Sequence, residues 1–274
     1  MKKFTASQNT TLKQFTDQTY AQGSFVFNAL LKKGDIKVNG QRKRADCPVC
    51  AGDEIVYYTT PAQEEKPSHS VIYEDENLVV ADKLQGVSSE ALFCELAERG
   101  AGFPVHRLDR NTCGVIVVAK TEQAQTELIA AFRERLAEKI YLCFAKNAFK
   151  SKSGVLTAYM EKNAEQSTVH VYSTPSDGRV EIKTEYSVES EHGDYALVKV
   201  ILHTGKTHQI RAHLAHIGCP VLGDGKYGDG ALNKKYNVTR QILVAKSLRL
   251  LPFGKLAYLS QKTFTSSFFP KLPK

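Results

Sequence analysis

Gly114-Val115-Ile116-Val117-Val118-Ala119 is apolar throughout, and such a run without alternation marks a strand buried on both faces at the middle of a sheet. Downstream of it, a helical pattern from about Glu122 to Glu138 is followed by strand patterns near Ile140 to Ala145, Val155 to Met160, Val169 to Tyr172, Glu181 to Glu189 and Tyr195 to Leu202. Upstream, Val71-Ile72-Tyr73 and Leu78-Val79-Val80-Ala81 read as strands and Glu90 to Arg99 as a helix. Strands outnumber helices and mostly succeed one another, which predicts an α+β fold on a largely antiparallel, mixed β-sheet with flanking helices.

Thr59 to Ser70 holds Pro61, Pro67 and three charges with little apolar content, a linker by composition. It divides the chain into residues 1–65, linker included, and residues 66–274. In the first part, Leu12, Phe15 and Thr19 share a helical face, and a second helix is expected from Ser24 as N-cap through Phe27, Leu30 and Leu31 to Gly34 as C-cap. Ile36-Lys37-Val38 runs into Asn39-Gly40, a hairpin signal, and Glu54 to Tyr58 reads as another strand. A small α/β domain is the expectation.

A length of 274 residues fits about two domains. The start lacks an apolar signal segment and nowhere do 18 apolar residues run together, so a soluble, cytoplasmic protein without a membrane partner is expected. Six scattered cysteines fit reduced thiols better than a disulfide framework. The 37 Lys and Arg against 29 Asp and Glu give a net charge of +8, which fits either a polyanionic partner or a merely basic protein. Their distribution favours the partner: Lys32, Lys33, Lys37, Arg42, Lys43 and Arg44 face only Asp35 in their stretch.

Three patterns imitate cofactor or metal sites. Gly223-Asp224-Gly225-Lys226-Tyr227-Gly228 has the spacing of a dinucleotide fingerprint, but no acidic residue follows Asp229 to hold a ribose, so a glycine-rich turn is preferred. Cys47 and Cys50 form a lone pair without a second pair nearby. His203, His208, His213 and His216 crowd one segment without a carboxylate among them. Neither a cofactor nor a metal is expected.

Val105-His106-Arg107-Leu108-Asp109-Arg110-Asn111-Thr112-Cys113-Gly114 leads into the buried strand, which puts its polar side chains in a loop at the end of the sheet. Asp109 has His106, Arg107 and Arg110 beside it in sequence, neighbours that favour its ionised form. A catalytic carboxylate and a structural ion pair in a turn both fit. Arg211 falls on a helix that Thr207 can cap, beside an apolar stripe of Ile210, Leu214 and Ile217, so it is expected to point away from the core. Tyr141 falls in a strand, where an ordinary core tyrosine is the favoured reading.

The loop resembles the signature of the RluA-like family of RNA pseudouridine synthases, and three further blocks follow in that family's order: Lys139-Ile140-Tyr141, Thr204 to Leu214, and Gly218 to Gly228. Residues 30–40 and 52–55 are similar to the alpha-L RNA-binding domain of a small-subunit ribosomal protein. The resemblance implies an isomerase that breaks the bond from uracil nitrogen 1 to ribose carbon 1′ and rejoins the base through carbon 5, without a cofactor. It makes Asp109 the nucleophile, pairs Arg211 with it, and has Tyr141 stack on the target uracil. Arg107 would fill the gap left by the flipped nucleotide. His106, Thr112, His208, Gln209 and Leu214 would contact substrate, and the basic cluster would bind RNA, ribosomal ahead of transfer RNA, in a monomeric protein. Phe25 stands where an Arg is common in the alpha-L pattern, which bears on one phosphate contact; Cys113 departs from the loop signature; and in the catalytic part Leu84-Gln85-Gly86, Ser88 to Glu90 and Val244 depart from the pattern and are expected to touch the rim of the site.

Overall fold

Asn39 and Gly40 have φ of 49° and 79°, the two left-handed positions that a type I′ hairpin turn needs. They join strands β3 (Ile36–Val38) and β4 (Gln41–Lys43), and the Asn39 side chain locks the turn by bonding Asp53 and the Glu54 N–H. The computed structural model describes residues 1–163, 168–252 and 254–273. The chain forms two compact units, Met1–Arg110 with Val117–Gln125, and Asn111–Ile116 with Thr126–Lys274.

In chain order the first unit holds β1 (Lys2–Thr5), β2 (Thr10–Thr11), α1 (Leu12–Thr19), α2 (Ala21–Lys33), β3, β4, β5 (Pro48–Val49), β6 (Glu54–Tyr57), α3 (Pro61–Glu64), β7 (His69–Glu74), β8 (Leu78–Lys83), α4 (Ser89–Ala97) and β9 (Phe103–Pro104). A four-stranded sheet, in the order β1-β6-β3-β4, packs on α1 and α2 around Leu12, Phe15, Phe27, Leu30, Ile36 and Ile55. The second helix begins at Ala21, three residues before the expected cap, because Tyr20 turns the chain there; Ser24 instead donates its hydroxyl to the Thr16 carbonyl at 3.0 Å. Gly34, at φ 73°, closes that helix as expected. The stretch expected as a linker is structured. Thr60 and Gln63 form a capping box on α3, and Glu64 accepts from Tyr20 and Thr59.

Strand β10 (Cys113–Ala119) is buried, as its sequence requires. Its last residues pair with β9 and continue the order β7-β8-β10 of the first unit. The second unit continues through α5 (Glu122–Arg133), β11 (Ala137–Lys146), β12 (Ser153–Asn163), β13 (Thr168–Tyr172), β14 (Val180–His192), β15 (Tyr195–Leu202), α6 (Gln209–His216), α7 (Gly230–Lys235), β16 (Leu243–Leu250) and β17 (Thr263–Thr265). Its strand order is β10-β16-β11-β15-β14-β12-β13, antiparallel except for the parallel β10–β16 pair. This is the mixed α+β fold expected, with two differences. The helix expected to reach Glu138 ends at Arg133, because Arg135 adopts φ 62° and the N–H groups of Arg135 and Leu136 close back on Phe132 and Ala131. Strand β16 lies between β10 and β11, a place that no strand was expected to fill.

The parallel pair depends on one glycine. Gly114 has φ 114°, and a Cβ there would lie 2.2 Å from the Ala245 carbonyl oxygen, so only glycine allows β10 to approach β16 this closely.

Candidate active site

Loops normally move, but the backbone around Asp109 is held from several sides within the first unit. His106 Nε2 accepts the Val117 N–H at 3.1 Å, which assigns the ring proton to Nδ1 in the neutral form. Ser89 accepts the Leu108 N–H at 3.0 Å and donates to the Leu108 carbonyl at 2.8 Å. The Arg110 carbonyl accepts from the Gly86 N–H at 2.9 Å and from the ammonium of Lys83 at 3.2 Å. Lys83 is fully buried and also donates to the Val87 carbonyl at 2.7 Å. Asp109, half-buried, therefore hangs between two residues whose backbones are pinned. Such fixing restricts the backbone from which the Asp109 side chain extends. Arg107 is exposed and ion-paired with Glu90 at 2.9 Å.

In the second unit, Tyr141 is 8% exposed on β11, immediately after a shift of register against β16 between Ile140 and Tyr141. Such irregularities re-aim side chains beside functional sites. Two residues earlier, Lys139 lays its ammonium over the Phe132 ring at 5.5 Å, and burial holds its pKa below the ordinary value. Thr112 is buried and accepts a hydrogen bond from Gln241 at 2.7 Å.

Helix α6 corrects the expectation for Arg211. The residue is buried, 6% exposed, and its Nε and Nη2 meet Asp224 Oδ2 and Oδ1 at 2.6 and 2.9 Å. This bidentate pair makes a buried arginine tolerable and fixes the plane of its guanidinium. Burial pushes the Asp224 carboxyl up, but Arg211 and the N–H groups of Lys226 and Tyr227 outweigh it and hold the group below its ordinary value. The glycine-rich turn is thus the mount for Arg211: Gly223, at φ 76°, passes so close to Arg240 that a Cβ would sit 2.1 Å from its carbonyl oxygen. Tyr227 completes the mount, with its ring 5.2 Å from the guanidinium and its hydroxyl bonded to His208 Nδ1 at 2.9 Å.

Thr207 is not the helix cap. His208 takes that position at φ 57° without capping the helix through its side chain, and Gln209 reaches back to accept from Lys206 N–H and Thr204 hydroxyl. Gln209 also donates to the Lys183 carbonyl and to Thr184, which bonds His213 Nδ1. Gln209 and Leu214, expected to contact substrate, are 2% and 0% exposed and pack into the scaffold around α6. Burial and then the nearby His216 push the His213 pKa down to about 4, which keeps the ring neutral at ordinary pH. His203 bonds Glu185 and His216 bonds Ser173. Among the described residues no three or more His, Cys, Asp or Glu are grouped to hold a metal ion.

Residues 77–216 match the family model described as RNA pseudouridylate synthase. The chain belongs to the RNA pseudouridylate synthase family. It is 28% identical to ribosomal large subunit pseudouridine synthase C of Vibrio cholerae, with 82% of this chain and 80% of that protein covered. It is 34% identical to an uncharacterized RNA pseudouridine synthase of Aquifex aeolicus, covering 79% and 76%. Among solved structures, human RNA pseudouridylate synthase domain containing 1 is 27% identical with a TM-score of 0.58, covering 67% of this chain and 79% of that one. The protein is therefore a pseudouridine synthase, an isomerase acting on RNA. His106, Arg107, Asp109, Thr112, Tyr141, His208, Gln209, Arg211 and Leu214 all lie inside the matched segment; Asp224 and Tyr227 lie outside it.

Four residues of this arrangement were not singled out from sequence: Lys83, Ser89, Asp224 and Tyr227. Asp224 was visible as an acid between two glycines, thirteen residues after Arg211. The departures expected at the rim are also relocated. Val244 is buried in β16 opposite Cys113, and Gly86, Ser88 and Ser89 support the Asp109 loop or its helix.

Proposed function

We propose that this synthase isomerises uridine in ribosomal RNA, with Asp109 as the nucleophile on a nucleotide flipped out of its helix. The observation that carries the reading is the pinned backbone on both sides of a half-buried Asp109. In the reaction the N1–C1′ bond breaks, the freed base turns, C5 bonds to C1′, C5 loses its proton and N1 gains one, so neither redox change nor leaving group arises. Asp109 adds to the sugar or the base, or removes a proton toward a glycal. The family resemblance pairs Arg211, its plane set by Asp224, with Asp109 as the positive partner of the nucleophile. Tyr141 stacks on the uracil, and Arg107 leaves Glu90 to stack where the flipped base was. His106, Thr112, His208, Gln209 and Leu214 are assigned to substrate contact from the family resemblance.

Residues 1–65 act as an alpha-L type RNA-binding domain and residues 66–274 as the catalytic domain of a monomeric, cytoplasmic enzyme that needs no cofactor. Supporting the first part, Lys37 and Arg42 stand opposite each other in the hairpin, and Lys32, Lys33, Arg42 and Arg44 are exposed at the end of α2 and on the adjoining strand. Lys37 also covers the Tyr58 ring, and Arg44 caps the Lys32 carbonyl at 3.2 Å. Ribosomal RNA is chosen because the Vibrio cholerae relative carries the large ribosomal subunit in its name. The test is release of tritium from RNA labelled at uridine C5. Purified protein should release it from large-subunit RNA fragments and leave transfer RNA untouched; release from transfer RNA alone would overturn the substrate assignment.

A further inference from the structure

We propose that Asp17 is a positioning residue, and that through it α1 holds the Asp109 loop in its working geometry. The inference rests on the role given to Asp109 above and extends it to the N-terminal residues. Asp17 lies on α1, 92 residues before Asp109, yet its Oδ1 forms an ion pair with Nη2 of Arg110, the residue that follows the nucleophile. Both side chains are mostly shielded, with relative exposures of 26% for Arg110 and 20% for Asp17. The contact is electrostatic rather than directional, since that Nη2 is enclosed without a well-aimed hydrogen bond.

Two further ties run between the same helices. The Asp17 carbonyl accepts from Ser88, the residue that caps α4, and the Gln18 carbonyl accepts from Cys94 Sγ at 3.3 Å. Helix α4 begins with Ser89, which grips Leu108 by both its N–H and its carbonyl. Asp17 thus reaches both neighbours of Asp109: Arg110 through the ion pair, and Leu108 through Ser88 and Ser89. The other Asp17 oxygen meets Lys13 at 3.0 Å in a half-exposed i,i+4 pair of the kind that contributes little. A bare RNA grip has no need of this arrangement. It gives the N-terminal residues a share in kcat, where a separate binding module would affect affinity alone.

The experiment uses the full chain and compares Asp17→Asn, Arg110→Gln, the double variant, and Lys13→Ala as a control. Three readouts are taken: RNA affinity, tritium release at saturating RNA, and amide hydrogen exchange of residues 105–112. Asp17→Asn should lower kcat at least tenfold with affinity within twofold, and speed exchange in 105–112 while leaving β3 and β4 unchanged. The double variant should be no slower than the slower single variant, because both remove one interaction. Lys13→Ala should leave kcat within twofold. If Asp17→Asn does not fold, Arg110→Gln reads the same pair from the other side. A kcat within twofold of wild type, losses that multiply in the double variant, or weakened affinity at unchanged kcat would each overturn the proposal. Should the wild type release no tritium, the proposed reaction fails, and hydrogen exchange still judges the coupling.

Discussion

Asp224→Asn tests the mount of Arg211 most severely, because it removes a charge and almost no volume. The two side chains are buried to 8% and 0% exposure, and Asp224 meets the guanidinium through both oxygens. Breaking a buried pair from one side leaves an uncompensated charge and costs about 3–5 kcal/mol, a large part of the roughly 5–15 kcal/mol that holds a domain together. With a urea slope of about 2 kcal/mol per molar, the unfolding midpoint should drop by about 2 M. The acid limb should change as well. Because the folded carboxyl lies below its ordinary value of 3.8, the pair stabilises the protein above about pH 4, and this contribution is lost as pH falls through the folded value. The variant should therefore lose less stability than wild type on acidification. Circular dichroism in urea at pH 7 and below pH 4 measures both effects, and tritium release should fall at least tenfold as Arg211 loses its orientation. A midpoint within 0.3 M of wild type with an unaltered acid limb would refute the account.

Two other outcomes follow from buried polar groups. Ser89→Ala removes both hydrogen bonds to Leu108, a cost of about 1–3 kcal/mol; kcat should drop by at least tenfold with RNA affinity kept, and an unchanged kcat would show that the loop does not need this anchor. His213 is held at about 4, below its ordinary 6.5, so wild-type stability should decline as pH falls from about 6.5 to 4, where the unfolded chain takes up a proton and the folded ring does not. His213→Asn, which can still bond Thr184, should flatten that decline; an identical slope in urea titrations across this range would contradict it.

Much of this was readable from the chain because it rests on short-range signals. Asn39-Gly40 dictates its turn, and the uninterrupted apolar run of β10 has only one comfortable place in a sheet. Strand β16 escaped notice because Lys246 and Arg249 break its apolar pattern, although Lys246 turns its ammonium onto the Ser266 and Phe268 carbonyls. The end of α5 was misplaced because an arginine, not a glycine, takes the left-handed position that stops it. In the candidate site, Asp109 stood out by its loop and Arg211 by its block, but burial of Arg211 did not, since a helical stripe says which face is apolar and nothing of a carboxylate arriving from a later turn. The same holds for Ser89 and Asp17: each acts over a separation of 19 residues or more, on Leu108, Ser88 or Arg110, and no periodicity records such pairings.

The role of Asp109 is tested most directly by Asp109→Asn under single-turnover conditions on ribosomal RNA labelled at uridine C5. The amide nearly matches the carboxylate in shape but is a far poorer nucleophile. Tritium release should fall below about 1% of the wild-type rate, with RNA affinity within a few fold and an unfolding midpoint close to wild type. Release above that level from a folded, RNA-bound variant would contradict the assignment of Asp109 as the nucleophile.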